Sequence, residues 1–113
     1  MESQVELNKE RAKLLDKFRK ALPELAVSQS AVGEVVYKDG SLSGKVKRLM
    51  AIAIALKVGC TNCILGQTMR ALEAGATKDE ILETLSVVVA MGGTTGTAES
   101  LRVIKLLDEL GKL

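Results

Sequence analysis

Histidine and tryptophan are absent from this chain of 113 residues, and both gaps narrow what it can do. Without histidine there is no side chain whose ordinary pKa lies near neutrality, so a conventional general base is missing. A zinc site takes about four ligands, and two cysteines alone would need carboxylates or a second subunit to complete one. A metal centre is therefore not expected. Aromatic residues are almost as scarce, with a single Phe18 and a single Tyr37. The core must then be built from Ala, Leu, Ile, Val and Met, which pack well between close helices and favour an all-α protein. No block of like charge occurs either: 16 basic and 14 acidic residues are scattered to a net charge of +2. That pattern offers neither a nucleic-acid stripe nor a polybasic membrane anchor. No apolar run approaches the ~20 residues of a membrane span, and the start, Met1 to Glu6, is polar. A cytoplasmic chain forming one domain over residues 1–113 is the expectation.

The residues present read as helices with short breaks. Val5, Leu7, Ala12, Leu14, Leu15 and Phe18 among Glu, Lys and Arg predict an amphipathic surface helix to Ala21, its charged face solvated. Pro23 opens a second helix to Tyr37, although its β-branched residues would also suit a strand. Lys38 to Ser41 is a turn, and Ser43 caps a helix from Gly44 to Val58. The uninterrupted run Leu49 to Leu56 predicts burial on most sides of that helix, with Ala51 to Ala55 admitting a close neighbour. Gly59 ends it. The next helix runs from Cys60 to Ala74 and stops at Gly75. Thr77 and Glu80 form a capping box for another, extending to about Met91. Gly92 to Gly96 then breaks the chain before a last helix carrying Leu101 to Leu110. About six helices result. The Gly92-Gly93 stretch lacks the Lys-Ser/Thr pair and the preceding strand of a phosphate loop, so it is read as a helix break.

Only Cys60 and Cys63, in Gly59-Cys60-Thr61-Asn62-Cys63-Ile64, offer chemistry beyond packing. Thiols at i and i+3 share a helix face and can cycle between dithiol and disulfide. Their place in the first turn, where backbone N–H groups are unpaired and the helix dipole is positive, favours a thiolate. Inert packing of two small side chains is the plainer alternative. A thioredoxin-type domain would set its CxxC after a strand, and no strand flanks this one. The redox pair sits on a helical scaffold.

A wider set of residues resembles the carboxymuconolactone decarboxylase family, in its alkylhydroperoxidase (AhpD-like) branch. The resemblance is strongest over residues 37–93. It rests on Tyr37-Lys38-Asp39-Gly40-Ser41-Leu42-Ser43, the apolar helix Leu49 to Leu56, Cys60-Thr61-Asn62-Cys63, the stretch Ala71 to Ile81, and Val89-Ala90-Met91-Gly92-Gly93. It implies an all-α fold whose apolar helices assemble trimers or hexamers. It also implies a thiol-dependent peroxidase or disulfide oxidoreductase, with a small peroxide as substrate, an external dithiol as electron donor and no cofactor.

That branch places a His four positions after the second Cys and a Glu twelve before the first. Here Gln67 and Arg48 stand at those positions. Neither can serve as a base, but Gln67 can orient a water or peroxide, and the charge of Arg48 can stabilise a thiolate. A free Cys is a few per cent thiolate at pH 7, and a downward shift of about 1.5 units makes it roughly half ionised. Both side chains are expected to face the thiols. Carried over from the family, Cys63, one turn inside the helix, attacks peroxide, and Cys60, nearer the exposed end, closes the disulfide. Two alternatives accompany this reading: a noncatalytic scaffold that has lost its proton relay, and a decarboxylase of a small lactone acid.

Overall fold

A computed structural model describes all 113 residues, which form five helices and no strand. They are α1 (Gln4–Ala21), α2 (Pro23–Val36), α3 (Gly44–Val58), α4 (Thr61–Glu73) and α5 (Lys78–Glu109). The all-α expectation holds, and the β-branched residues of α2 are helical.

Helix ends follow local chemistry. Ser43 Oγ accepts the Val46 N–H at 3.1 Å, and Thr77 and Glu80 complete their reciprocal box at 3.1 and 2.9 Å. Lys45 Nζ lies 2.8 Å from Glu80 Oε2, tying α3 to α5. With these partners, Lys45 foremost, the Glu80 carboxyl is held below its ordinary pKa. Three helices stop in the same way. A glycine with positive φ, at Gly59, Gly75 and Gly111, is followed by a residue whose N–H reaches back five positions.

The expected break at Gly92 to Gly96 is narrower than the sequence suggests. Only Gly93 leaves helical geometry, at φ 59° and ψ −137°, so α5 is one chain of helix bent into two limbs. The bend is sharp, since a Cβ built on Gly96 would lie 2.6 Å from the Val88 carbonyl oxygen, eight residues back. By length and composition α5 alone could cross a membrane. Instead both limbs turn apolar faces inward, Ile81, Leu85 and Val88 from the first and Val103 and Leu107 from the second.

Those side chains meet Ile52, Ala55 and Leu56 of α3 and Ile64 and Ala71 of α4 in one core. Each large aliphatic side chain buried there contributes about 1.5–3 kcal/mol. The expectation that α3 is buried on most sides does not hold. Its Met50, Ile54 and Val58 are exposed, because α4 and α5 cover only one side of it. More open still is α2, which has no buried residue and packs only on α1. The start of α1 is anchored to the end of α5. Glu109 accepts from the Gln4 N–H at 2.7 Å and from Ser3 Oγ, and these bonds, Ser3 first, hold its carboxyl below the ordinary range.

The close approach at Gly96 has a direct test. Gly96→Ala is expected to lower the free energy of unfolding by about 1–3 kcal/mol, since backbone must shift to admit the methyl. Gly92→Ala, whose Cβ meets nothing within 4 Å, is expected to raise it by about 0.5–1 kcal/mol. Urea denaturation that ranks the two variants the other way would contradict the bend.

Candidate functional site

The cysteine segment is shaped by the two-residue joint between α3 and α4. Gly59 takes φ 78°, and the Cys60 N–H then bonds the Ala55 carbonyl at 3.2 Å, closing α3. The same Cys60 is the N-cap of α4, its Sγ accepting the Cys63 N–H at 3.2 Å. Cys60 and Cys63 are joined as a disulfide, with Cα atoms 5.2 Å apart. Position decides their exposure, and it runs opposite to expectation. Cys60, locked between two helices, is half-buried, whereas Cys63 is exposed.

On α4 the apolar face, Ile64, Leu65, Thr68 and Ala71, is buried against the core. Cys63, Gly66 and Gln67 therefore face outward, toward α1, and share a groove with its Leu14, Leu15 and Phe18. The sequence assigned α1 no part in the site beyond a solvated face. Arg11 departs from that reading: it is half-buried, and its guanidinium lies 3.3 Å from where a Cβ on Gly66 would be. Only the glycine, read against a helix bearing an arginine, could have signalled this contact.

Arg48 and Gln67 are brought together. Arg48 Nη1 donates to Gln67 Oε1 at 3.0 Å, and its guanidinium stacks 3.4 Å from the centroid of Tyr37. Burial lowers the Arg48 pKa, the Tyr37 hydroxyl opposes that shift, and nearby Arg70 adds to it. Tyr37 is held over α3 by the turn that follows it. There the Asp39 carboxylate accepts the Gly44 N–H and the Lys38 carbonyl accepts from Lys47 Nζ, each at 2.7 Å. Arg48 faces a different depression, with Tyr37, Lys45, Arg70 and Glu73, while Gln67 lines the groove of Cys63. The expectation that both face the thiols is thus met on the groove side by Gln67 alone. Since arginine only donates, the bond fixes the amide orientation. Gln67 Oε1 is turned to Arg48, and Nε2 is left as a donor.

No cluster of three or more His, Cys, Asp or Glu side chains able to hold a metal ion occurs. What the site can do chemically is store and exchange two electrons in the Cys60–Cys63 pair.

Residues 23–106 match the profile of the carboxymuconolactone decarboxylase family. A member of that family from Legionella pneumophila, crystallised in its apo form, superposes with a TM-score of 0.87 at 33% identity, over 96% of this chain and 97% of that one. A family protein from Thermotoga maritima, for which a part in antioxidative response has been suggested, superposes with a TM-score of 0.70 at 27% identity, over 97% and 91%. An uncharacterised protein of Cupriavidus necator is 33% identical over 90 residues, 80% of each chain.

The cap geometry makes the two thiols unequal once reduced. Cys60 Sγ accepts the Cys63 N–H at the helix N-terminus, where a thiolate is favoured, whereas Cys63 lies within the helix and caps nothing. Absorbance titration at 240 nm should show Cys60 in Cys63→Ser ionising at lower pH than Cys63 in Cys60→Ser. The reverse order would remove the capping argument.

Proposed function

The chain belongs to the carboxymuconolactone decarboxylase family, and from that premise we propose that it is a thiol-dependent peroxidase of the alkylhydroperoxidase type. The observation that carries this reading is an exposed Cys63 beside Gln67 in an apolar-walled groove, with its partner sulfur fixed one turn away as a helix cap. The antioxidative part suggested for the Thermotoga maritima relative is in keeping with it.

The missing histidine is bypassed within the pair. In the reduced protein the helix terminus favours the thiolate at Cys60, which accepts the Cys63 proton and so acts as its base. Cys63 sulfur then attacks the outer peroxide oxygen, forming an S–O bond as the O–O bond breaks. The products are Cys63 sulfenic acid and an alkoxide, which Gln67 Nε2 steadies by hydrogen bonding until water protonates it. Cys60 next attacks the Cys63 sulfur. The S–O bond breaks, the departing hydroxide takes the Cys60 proton, and the disulfide and one water result.

An external dithiol of the reducing cytoplasm restores the pair. Its thiolate attacks the exposed Cys63 and expels Cys60, whose charge returns to the helix cap. Its second thiol then attacks the mixed disulfide, closing the dithiol's own disulfide and releasing Cys63. The sum is one hydroperoxide and one dithiol converted to an alcohol, a water and the dithiol's disulfide.

Arg48 is a positioning residue here, acting through Gln67. Consumption of cumene hydroperoxide with dithiothreitol is expected to fall at least about a hundredfold in Cys63→Ser. In Cys60→Ser it should stop after a single turnover. Equal rates for these and the wild type would end the proposal. If the chain is instead a scaffold with a disabled relay, the wild type is inactive and Gln67→His with Arg48→Glu restores turnover.

We also propose that copies associate, as a trimer or hexamer, through the apolar side chains that one chain leaves exposed. Val27, Val32 and Val35 on α2 and Ile54 and Val58 on α3 are each more than half exposed. Sedimentation equilibrium should give a multiple of the 12.0 kDa chain mass. A concentration-independent monomer would refute it.

A further inference from the structure

The groove that holds Cys63 carries a charge that the peroxidase chemistry does not require. Leu7, Arg11, Leu14, Leu15 and Phe18 recur at helical spacing, so Arg11 interrupts an apolar stripe of α1 and does not lie on its polar side. Its Nε donates to Asn8 Oδ1 at 3.0 Å, but neither Nη group has an acceptor in the chain. Seven ion pairs occur, and Arg11 is in none of them. Glu10, at the edge of the same groove, does not pair with it. Nor is the field around Arg11 balanced. Burial and then the neighbouring positive charges of Arg70 and Arg19 lower its pKa. A guanidinium fork so placed is matched to a planar carboxylate.

We propose that the groove seats an anionic organic hydroperoxide, its carboxylate on Arg11 and its alkyl chain along Leu14, Leu15 and Phe18. Gly66 makes room for the seat. A Cβ there would lie 3.3 Å from the guanidinium, which would have to give by a few tenths of an ångström on the surface of α4, one turn from Cys63. That spacing also limits the substrate. Three residues of helix rise about 4.5 Å, so the peroxide must lie within a few bonds of the carboxylate. Leu14 and Phe18, 55% and 42% exposed in the free chain, become covered by the remainder of the tail. The inference takes its redox chemistry from the peroxidase reading, but the anion seat is a binding claim that can be tested without turnover.

The test compares 5-hydroperoxyeicosatetraenoic acid, its methyl ester and its 15-hydroperoxy isomer as substrates of the full chain with dithiothreitol. In wild type, kcat/KM for the 5-hydroperoxy acid should exceed that of the ester and of the isomer by about tenfold. The acid-to-ester ratio should fall to near one in Arg11→Gln and recover in part in Arg11→Lys. A ratio near one in wild type, or one that survives Arg11→Gln, overturns the assignment while leaving the peroxidase reading intact. If no hydroperoxide is consumed, that reading fails, and decanoate titrated into the oxidised protein decides the seat. Saturable NMR shifts of the Gly66 amide and Arg11 Nε–H, lost in Arg11→Gln, would uphold an anion site, and their absence would overturn it.

Discussion

Everything at the candidate site depends on the joint at Gly59 and Cys60. An αL glycine lets the Cys60 N–H close α3 onto Ala55, and the same residue's sulfur opens α4. One backbone donor and one side-chain acceptor on a single residue thereby serve two helices. The Cys60 sulfur is thus held by the termini of two helices whose other faces are packed in the core. A loop of several residues would satisfy the same connection but would leave Cys60 free to turn away from Cys63. Fixing the sulfur this way also decides which thiol meets solvent, and the groove on the α1 side follows from that.

The polar residues around the joint form a chain of constraint. Tyr37 is set by a hydrogen-bonded turn, Arg48 stacks on Tyr37, and Arg48 orients Gln67. Arg48 takes part in no ion pair, and an amide whose oxygen is held by one hydrogen bond is a more directional group than a freely rotating one. In this scaffold an Arg–Gln pair occupies the positions at which a Glu and a His would be expected from the family resemblance. On the proposed reading, the base has moved onto the second thiol.

Much of the fold was legible because its signals are local. Ser43, Thr77 with Glu80, and the stops at Gly59 and Gly75 each act through hydrogen bonds within five residues, so the sequence around them suffices. The cysteine pair was legible for the same reason, whereas the bond between Arg48 and Gln67, both of which were expected to face the thiols, was not read from the sequence. What could not be read depends on how elements meet. The reach of Gly96 to Val88 and of Arg11 to Gly66 joins surfaces whose approach is set by the whole core. The exposure of Cys63 over Cys60 was missed because it depends on Cys60 serving two helices at once, not on helical spacing. The Leu49 to Leu56 run looked buried all round because composition does not say how many neighbours a helix has.

The stacking of Arg48 on Tyr37 has an optical consequence. Tyr37 is the only tyrosine and the chain has no tryptophan, so its near-ultraviolet signal comes from one ring with little to mask it. That ring touches the cation which orients Gln67. The intrinsic emission of this molecule is therefore a single-point gauge of its own site. A displaced Gln67 that frees Arg48 will change the brightness of the protein without any label being attached.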